Sequence, residues 1–163
     1  MTRIVAISDT HAKSLSQLPQ ELVALLPEAD YVVHCGDFTS LSLLEELRGI
    51  AKRFIGVHGN VDPKEVRDQL PPKTVFEVDG TRIGVIHPHW GGGPWGIEED
   101  IAAEFDGVDI ILYGHTHDAC HKTVRGIVFL NPGQAYQAFR TPASAVLLTI
   151  DAHGTDIEIV AFG

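Results

Sequence analysis

Three short apolar runs, at residues 3–7, 31–35 and 54–58, alternate with two leucine stripes, and this alternation restricts the fold more than any other feature of the chain. Short runs rich in Ile and Val read as buried strands, and leucines recurring every three to four residues read as the apolar face of a helix. Leu15, Leu18, Leu22, Leu25 and Leu26 form the first stripe, with Pro19 placed for a first helical turn and Pro27 as the stop. Leu43, Leu44, Leu47 and Ile50 form the second, with Ser40 or Ser42 as its N-cap. Repeated strand–helix–strand units predict right-handed crossovers and a parallel sheet over the first half of the chain.

The second half reads differently. Pro71-Pro72 breaks the chain, and two runs at 74–78 and 81–86 flank Asp79-Gly80, a strong two-residue hairpin signal. A glycine-rich stretch at 89–96 then leads to a predicted helix over 97–105, whose first turn carries Glu98, Glu99 and Asp100, where the helix dipole favours negative charge. Further strands are predicted at 109–113, 119–124, 127–130, 145–150 and 156–161. Parallel units followed by hairpins predict two mixed β-sheets packed face to face, with helices outside.

Five of these strand ends carry residues able to bind a metal: Asp9-Thr10-His11, Gly36-Asp37, Gly59-Asn60-Val61-Asp62, His87-Pro88-His89 and Gly114-His115-Thr116-His117. Open α/β sheets place their ligand crevices at the carboxyl ends of strands. In an extended segment, residues two apart point to the same side, so Asp9 with His11 and His115 with His117 each present a pair of ligands together. A Gly-Asp by itself reads as a turn. The company of four other such segments favours a metal centre.

The chain of 163 residues fits one domain, 1–163, with a core that needs no staples. A formal net charge of −10 argues against stable nucleic-acid binding, which would need a basic stripe. Chemistry on phosphates stays open, because a bound cation reverses the local field. No stretch approaches the ~20 apolar residues of a membrane span, and the N-terminus runs straight into a strand without a signal-peptide layout. Cys35 and Cys120 alone make no disulfide framework, which points to a reducing cytoplasm, with Cys35 a small buried residue. His34 and His58 read as groups supporting the ligands, whereas His121 and His153 read as solvent-facing. Trp90 and Trp95 can pave a substrate cleft or pin their loop.

In order and spacing, Asp9-x-His11, Gly36-Asp37, Gly59-Asn60-x-Asp62, His87 and Gly114-His115-x-His117 resemble the calcineurin-like metallophosphoesterase superfamily, and the short length resembles its small prokaryotic phosphodiesterase branch. Asn131-Pro132-Gly133 is similar to a further motif of that branch, with Gln134 where serine is usual. The resemblance implies a four-layer αββα sandwich with a dimetal site at the strand ends. It implies that Asp9, His11 and His117 hold one ion, that Asn60, His87 and His115 hold the other, and that Asp37 bridges them. It further implies a phosphodiesterase acting on small substrates by attack of a metal-bridging hydroxide. The donor set of carboxylate, imidazole and amide, without thiolate, suits two divalent ions, with manganese placed first and Fe, Ni, Co or Zn also suited.

Two departures bear on mechanism. Many members carry a histidine, a candidate acid for the leaving group, at the position of Val61, and valine cannot donate a proton. His89 is the nearest substitute in sequence, with a supporting hydrogen bond as its alternative reading, and Pro88 before it restricts His87. Two divalent cations opposed by the carboxylates of Asp9 and Asp37 leave about +2, which a bridging hydroxide and a diester monoanion would neutralise. A monoester dianion would overshoot, which favours diesters. A phosphomonoesterase and a metal-binding protein-interaction scaffold of the same fold are the alternatives, and a homo-oligomer stays open. A TIM-barrel hydrolase would need about 250 residues.

Overall fold

A computed structural model describes residues 1–90 and 97–163. The first half runs β1 (Thr2–Ile7), α1 (Gln20–Leu25), β2 (Tyr31–His34), α2 (Leu41–Ile50), β3 (Phe54–Gly56) and the single turn α3 (Lys64–Arg67). Then come β4 (Lys73–Val78), β5 (Thr81–Ile86), α4 (Ile97–Ala102), β6 (Ile110–Tyr113), β7 (Cys120–Val124) and β8 (Ile127–Asn131). The long strands β9 (Ala143–Asp151) and β10 (Gly154–Phe162) close the chain.

The strands form two five-stranded sheets, in the orders β10-β9-β1-β2-β3 and β4-β5-β6-β8-β7. Both are mixed. β1, β2 and β3 are parallel, as the alternation predicts, and β9 runs antiparallel against β1. In the second sheet β5, β6 and β8 are parallel, with β4 and β7 antiparallel at the edges.

The period-2 geometry of strands sorts the apolar residues into layers. Ile4 and Ala6 of β1 join Ile83 and Val85 of β5 and Ile110 and Leu112 of β6 in a core between the sheets. The alternate residues Val5 and Ile7 face outward against Leu22, Leu43, Leu44 and Leu47 of the helices. On the other side, Ile86, Ile111 and Tyr113 face Ile97 and Ile101 of α4. The result is helix, sheet, sheet, helix. Strands buried on both faces read as unbroken apolar runs, which is the pattern of β1, β2 and β6.

Local signals act as their chemistry requires. Ser40 Oγ accepts the Leu43 N–H as the N-cap of α2, and Asp79 and Gly80, at φ of 49° and 81°, make the two-residue turn between β4 and β5. The first leucine stripe is not one helix. It splits into a 3₁₀ turn at Leu15–Gln17, α1, and a second 3₁₀ turn at Leu26–Glu28. Pro19 is the cause: it holds Leu18 extended at φ −94°, ψ 158°, so helical backbone begins only after it. The predicted strand over 54–58 ends at Gly56, and the predicted helix over 97–105 ends at Ala102. The glycine run and Trp95 lie outside the described residues. Among the described residues, no helix is long and apolar enough to cross a membrane.

Candidate metal centre

The five ligand-bearing segments leave the carboxyl ends of β1, β2, β3, β5 and β6 and meet at one end of the sandwich. Parallel pairing brings them there, and hydrogen bonds continue the ladder past the strands: Cys35 N–H to Ile7 O (2.9 Å), Asp9 N–H to Gly36 O (3.0 Å) and Val57 N–H to His34 O (3.1 Å). The Asp62 carboxylate ties the loops more firmly. Its Oδ2 accepts the backbone N–H of Asp37 (2.9 Å) and Gly59 (2.7 Å), and its Oδ1 accepts that of Thr39 (2.8 Å). Asp62 is buried and fully used by these bonds, which gives it a structural task.

Two groups of donor atoms result, Asp9 with His11 and His117, and Asp37 with His87 and His115, each group within 4.8 Å. Asp37 joins them. Its Oδ2 lies 3.2 Å from His87 Nε2 and 3.8 Å from His11 Nε2, while its Oδ1 accepts the Val61 N–H at 3.0 Å. One oxygen therefore stands between the two groups and the other is anchored. Asn60 Oδ1 lies 3.0 Å from His87 Nε2, which adds the amide to the second group.

Hydrogen bonds on the far side of each ring decide which nitrogen faces the site. His87 Nδ1 lies 2.8 Å from the Cys35 carbonyl, which only accepts, so Nδ1 carries the proton and Nε2 presents a lone pair. His117 Nδ1 lies 3.2 Å from Gln134 Oε1, and the Gln134 amide is oriented by donating its Nε2–H to Tyr136 O (2.9 Å). In their neutral form the rings would aim acceptors at acceptors: Nε2 of His117 at Asp9 Oδ1 (3.2 Å), and Nε2 of His87 at Asp37 Oδ2 and Asn60 Oδ1. Such an arrangement lacks a positive charge at its centre. Asp9 Oδ1 carries the same message, since it is buried with no hydrogen-bond partner while Oδ2 accepts from Ser8 Oγ (2.6 Å) and His115 N–H (3.0 Å). The residues present fit a pair of divalent cations.

Without cations the imidazoles supply the compensating charge. Burial acts to raise the Asp9 carboxyl, but the His117 and His87 rings and the Ser8 hydroxyl outweigh it and hold Asp9 below the usual carboxylate range. Asp37 is likewise held low, burial being outweighed by His87, the Val61 N–H and His11. His34 is different. Burial pushes it down to about 3, and as a neutral ring it accepts the Gly36 N–H at Nδ1 (3.1 Å) and faces Thr10 Oγ1 with Nε2 (3.1 Å). It supports the loop before Asp37 rather than the Asp37 carboxylate.

The backbone is strained where the ligands sit. Asp9 (φ 50°), His11 (44°), Asp37 (62°), His115 (83°) and His117 (60°) all occupy the left-handed region. Non-glycine residues there cost on the order of 1–3 kcal/mol each and persist only where surroundings over-determine them. Close approach of neighbouring backbone is part of that environment. A Cβ on Gly59 would overlap Asp37 Oδ1, and one on Gly114 would overlap Ser8 Oγ.

The structure brings Asp9, His11, Asp37, Asn60, His87, His115 and His117 together. His89 is in neither group of donors, although its charge acts on His115 and it shares a groove with His87. His89 is exposed, donates its backbone N–H to His87 O (3.0 Å), and sets its ring edge-on to Trp90 with centroids 5.4 Å apart. Val61 is 48% exposed at the rim, so its side chain leaves the position open to solvent. Two contributions escaped sequence reasoning. Gln134 orients His117, and Tyr136 places its ring 5.6 Å from that of His11. The Asn131-Pro132-Gly133 run was the available signal: Asn131 donates to Thr116 Oγ1 (2.8 Å) and accepts the Gly133 N–H (2.9 Å), which sets Gln134 beside His117.

Comparison with known proteins agrees with this geometry. The calcineurin-like phosphoesterase superfamily domain matches residues 2–153. A probable metallophosphoesterase of Methanothermobacter thermautotrophicus is 31% identical over 98% of this chain and 92% of its own. A protein of Methanocaldococcus jannaschii named a phosphodiesterase is 26% identical over 81% of this chain and 83% of its own. Among solved structures, Vps29 of Entamoeba histolytica complexed with Zn2+ is 27% identical, covers 99% of each chain and superposes with a TM-score of 0.76. The chain belongs to the calcineurin-like phosphoesterase superfamily.

Proposed function

We propose that this member of the superfamily is a two-metal phosphodiesterase, built as one domain over 1–163, in which Asp9, His11 and His117 hold one ion, Asn60, His87 and His115 hold the other, and Asp37 bridges them. The observation that carries the reading is the position of Asp37 Oδ2, 3.2 Å from His87 Nε2 and 3.8 Å from His11 Nε2. A pair of divalent ions held there would supply an activated water as nucleophile and charge stabilisation for the phosphoryl group. The chain's own residues fix that pair. Gln134 and the Cys35 carbonyl orient His117 and His87, and Asp62 holds the loops of Asp37 and Asn60. Manganese is the proposed metal, with Fe, Ni, Co or Zn as substitutes for the same oxygen and nitrogen donors, and the cytoplasm the proposed compartment.

Diesters are preferred over monoesters for two reasons. Asp9 and Asp37 leave about +2 at a dication pair, which suits a monoanionic diester and a hydroxide. The methanococcal relative is named a phosphodiesterase. Likeness to Vps29 favours a second reading, a protein-interaction scaffold on the same fold, and the retention of all seven candidate ligands weighs against it. The test is hydrolysis of bis(p-nitrophenyl) phosphate and p-nitrophenyl phosphate by protein loaded with each divalent metal. Chelator-sensitive cleavage of the diester at the higher kcat/KM supports the proposal. Faster monoester cleavage would make the chain a phosphomonoesterase, and inactivity with every metal would favour the scaffold.

A further inference from the structure

A groove of about 300 Å3 opens beside the candidate metal centre, and the metal reading above does not use it. His87 forms part of its wall, so the groove is continuous with the second group of ligands. His58, His89, Trp90, Lys73 and Glu104 line the rest of it. Its size is at the small end of ligand pockets, ~300–1,000 Å3, which suits one heterocycle rather than a length of nucleic acid.

Three features specify the occupant. Trp90 is 47% exposed, an unusual state for so large an apolar ring, and its plane is braced by the edge of His89. An exposed indole beside a catalytic cleft offers a flat stacking face. The charged pair in its wall is electrically balanced: Lys73 Nζ donates to Glu104 Oε2 at 2.8 Å and to the Glu104 carbonyl at 2.8 Å. A paired lysine does not call for a second phosphate. His58 and His89 supply polar edges in the wall beside Pro72, Ile86 and Trp90.

We infer that this groove receives the nucleoside of a nucleotidyl phosphodiester, its base stacked on Trp90 while the phosphate lies at the centre beside His87. The inference rests on the phosphodiesterase reading and adds a substrate class to it. Trp90 is the specificity residue, and His58 and His89 contact the base or sugar. His89 thereby has a place at the site without being a ligand.

The test compares thymidine 5′-(p-nitrophenyl phosphate) with methyl p-nitrophenyl phosphate, using Mn2+-loaded wild type, Trp90→Ala and Trp90→Phe of equal metal content. Stacking of one base on an aromatic side chain corresponds to about 5- to 150-fold in affinity. The wild type is expected to favour the nucleotidyl diester by about tenfold or more in kcat/KM. Trp90→Ala should erase the preference and Trp90→Phe should keep most of it. Calorimetry with thymidine 5′-monophosphate should show binding weakened by about tenfold in Trp90→Ala alone. Equal rates on both diesters in the wild type, or a preference untouched by Trp90→Ala, would overturn the inference and leave the phosphodiesterase reading standing. Cleavage of neither diester would overturn that reading, and the calorimetry would then decide the groove by itself.

Discussion

Gln134 Oε1 lies 3.2 Å from His117 Nδ1, and the Gln134 amide is held in that orientation by its own bond to Tyr136 O. The pair fixes the tautomer and the direction of a candidate ligand from outside the metal centre. Partners of this kind typically change metal affinity by ~10–100-fold when removed. Gln134→Leu is therefore expected to weaken one of two metal-binding events by about that factor, with the other unchanged and the fold intact. Gln134→Glu, which keeps the acceptor, should weaken it far less. Calorimetric metal titration resolves the two events, and equal affinities in Gln134→Leu and wild type would remove Gln134 from the site.

Asp37 makes a sharper distinction. One of its oxygens faces both His87 Nε2 and His11 Nε2, so it lies between the two groups of candidate ligands. Asp37→Ala is predicted to lose both ions, whereas Asn60→Ala, which touches only the second group, should retain one. Elemental analysis after gel filtration measures this directly. One ion at full occupancy in Asp37→Ala would contradict the bridging role.

The candidate ligands were legible because they follow strands whose apolar runs are unmistakable, and parallel pairing brings strand ends together whatever the loop details. Asp62 was legible only in part. It stood out only as a carboxylate in the Gly59-Asn60-Val61-Asp62 segment, and two of its three backbone donors, Asp37 and Thr39, come from a loop that sequence does not place next to it. The bond of Gln134 to His117 was not legible for the same reason, since Gln134 is 17 residues from His117 and meets it only through the turn made by Asn131 and Gly133. The first leucine stripe misled in the opposite sense. Leu15 and Leu18 keep helical spacing yet sit outside α1, because apolar contact with the sheet needs no continuous helix and Pro19 forbids one.

Asp62→Ala tests how the strained loops are held. It would leave the buried N–H groups of Asp37 and Gly59 without their acceptor, and the partly buried one of Thr39 open to water. Two buried unpaired donors cost ~1–3 kcal/mol each, so metal-free Asp62→Ala should lose about 2–6 kcal/mol of unfolding free energy in urea. Asp62→Asn retains one carbonyl oxygen and should fall between. A loss in Asp62→Ala below about 1 kcal/mol would mean that the left-handed residues around Asp37 are held by something else.

Val61 concerns the leaving group. Its backbone N–H anchors Asp37 Oδ1 at 3.0 Å, so the residue is fixed close to the Asp37 carboxylate, yet it is 48% exposed and belongs to no core cluster. An imidazole there has room and needs no repacking. As valine, the position supplies no proton to a departing alkoxide, and general-acid assistance is typically worth ~10²–10⁴-fold. A p-nitrophenolate needs little such help, because it leaves as a stable anion. Val61→His is therefore predicted to raise kcat on alkyl diesters by at least about tenfold while changing p-nitrophenyl diester turnover little, at unchanged metal content. The selective effect separates proton donation from any general improvement of the site, which would accelerate both classes of ester alike. If alkyl diesters gain nothing, the proton reaches the leaving group by another route, and the valine is no handicap to this enzyme.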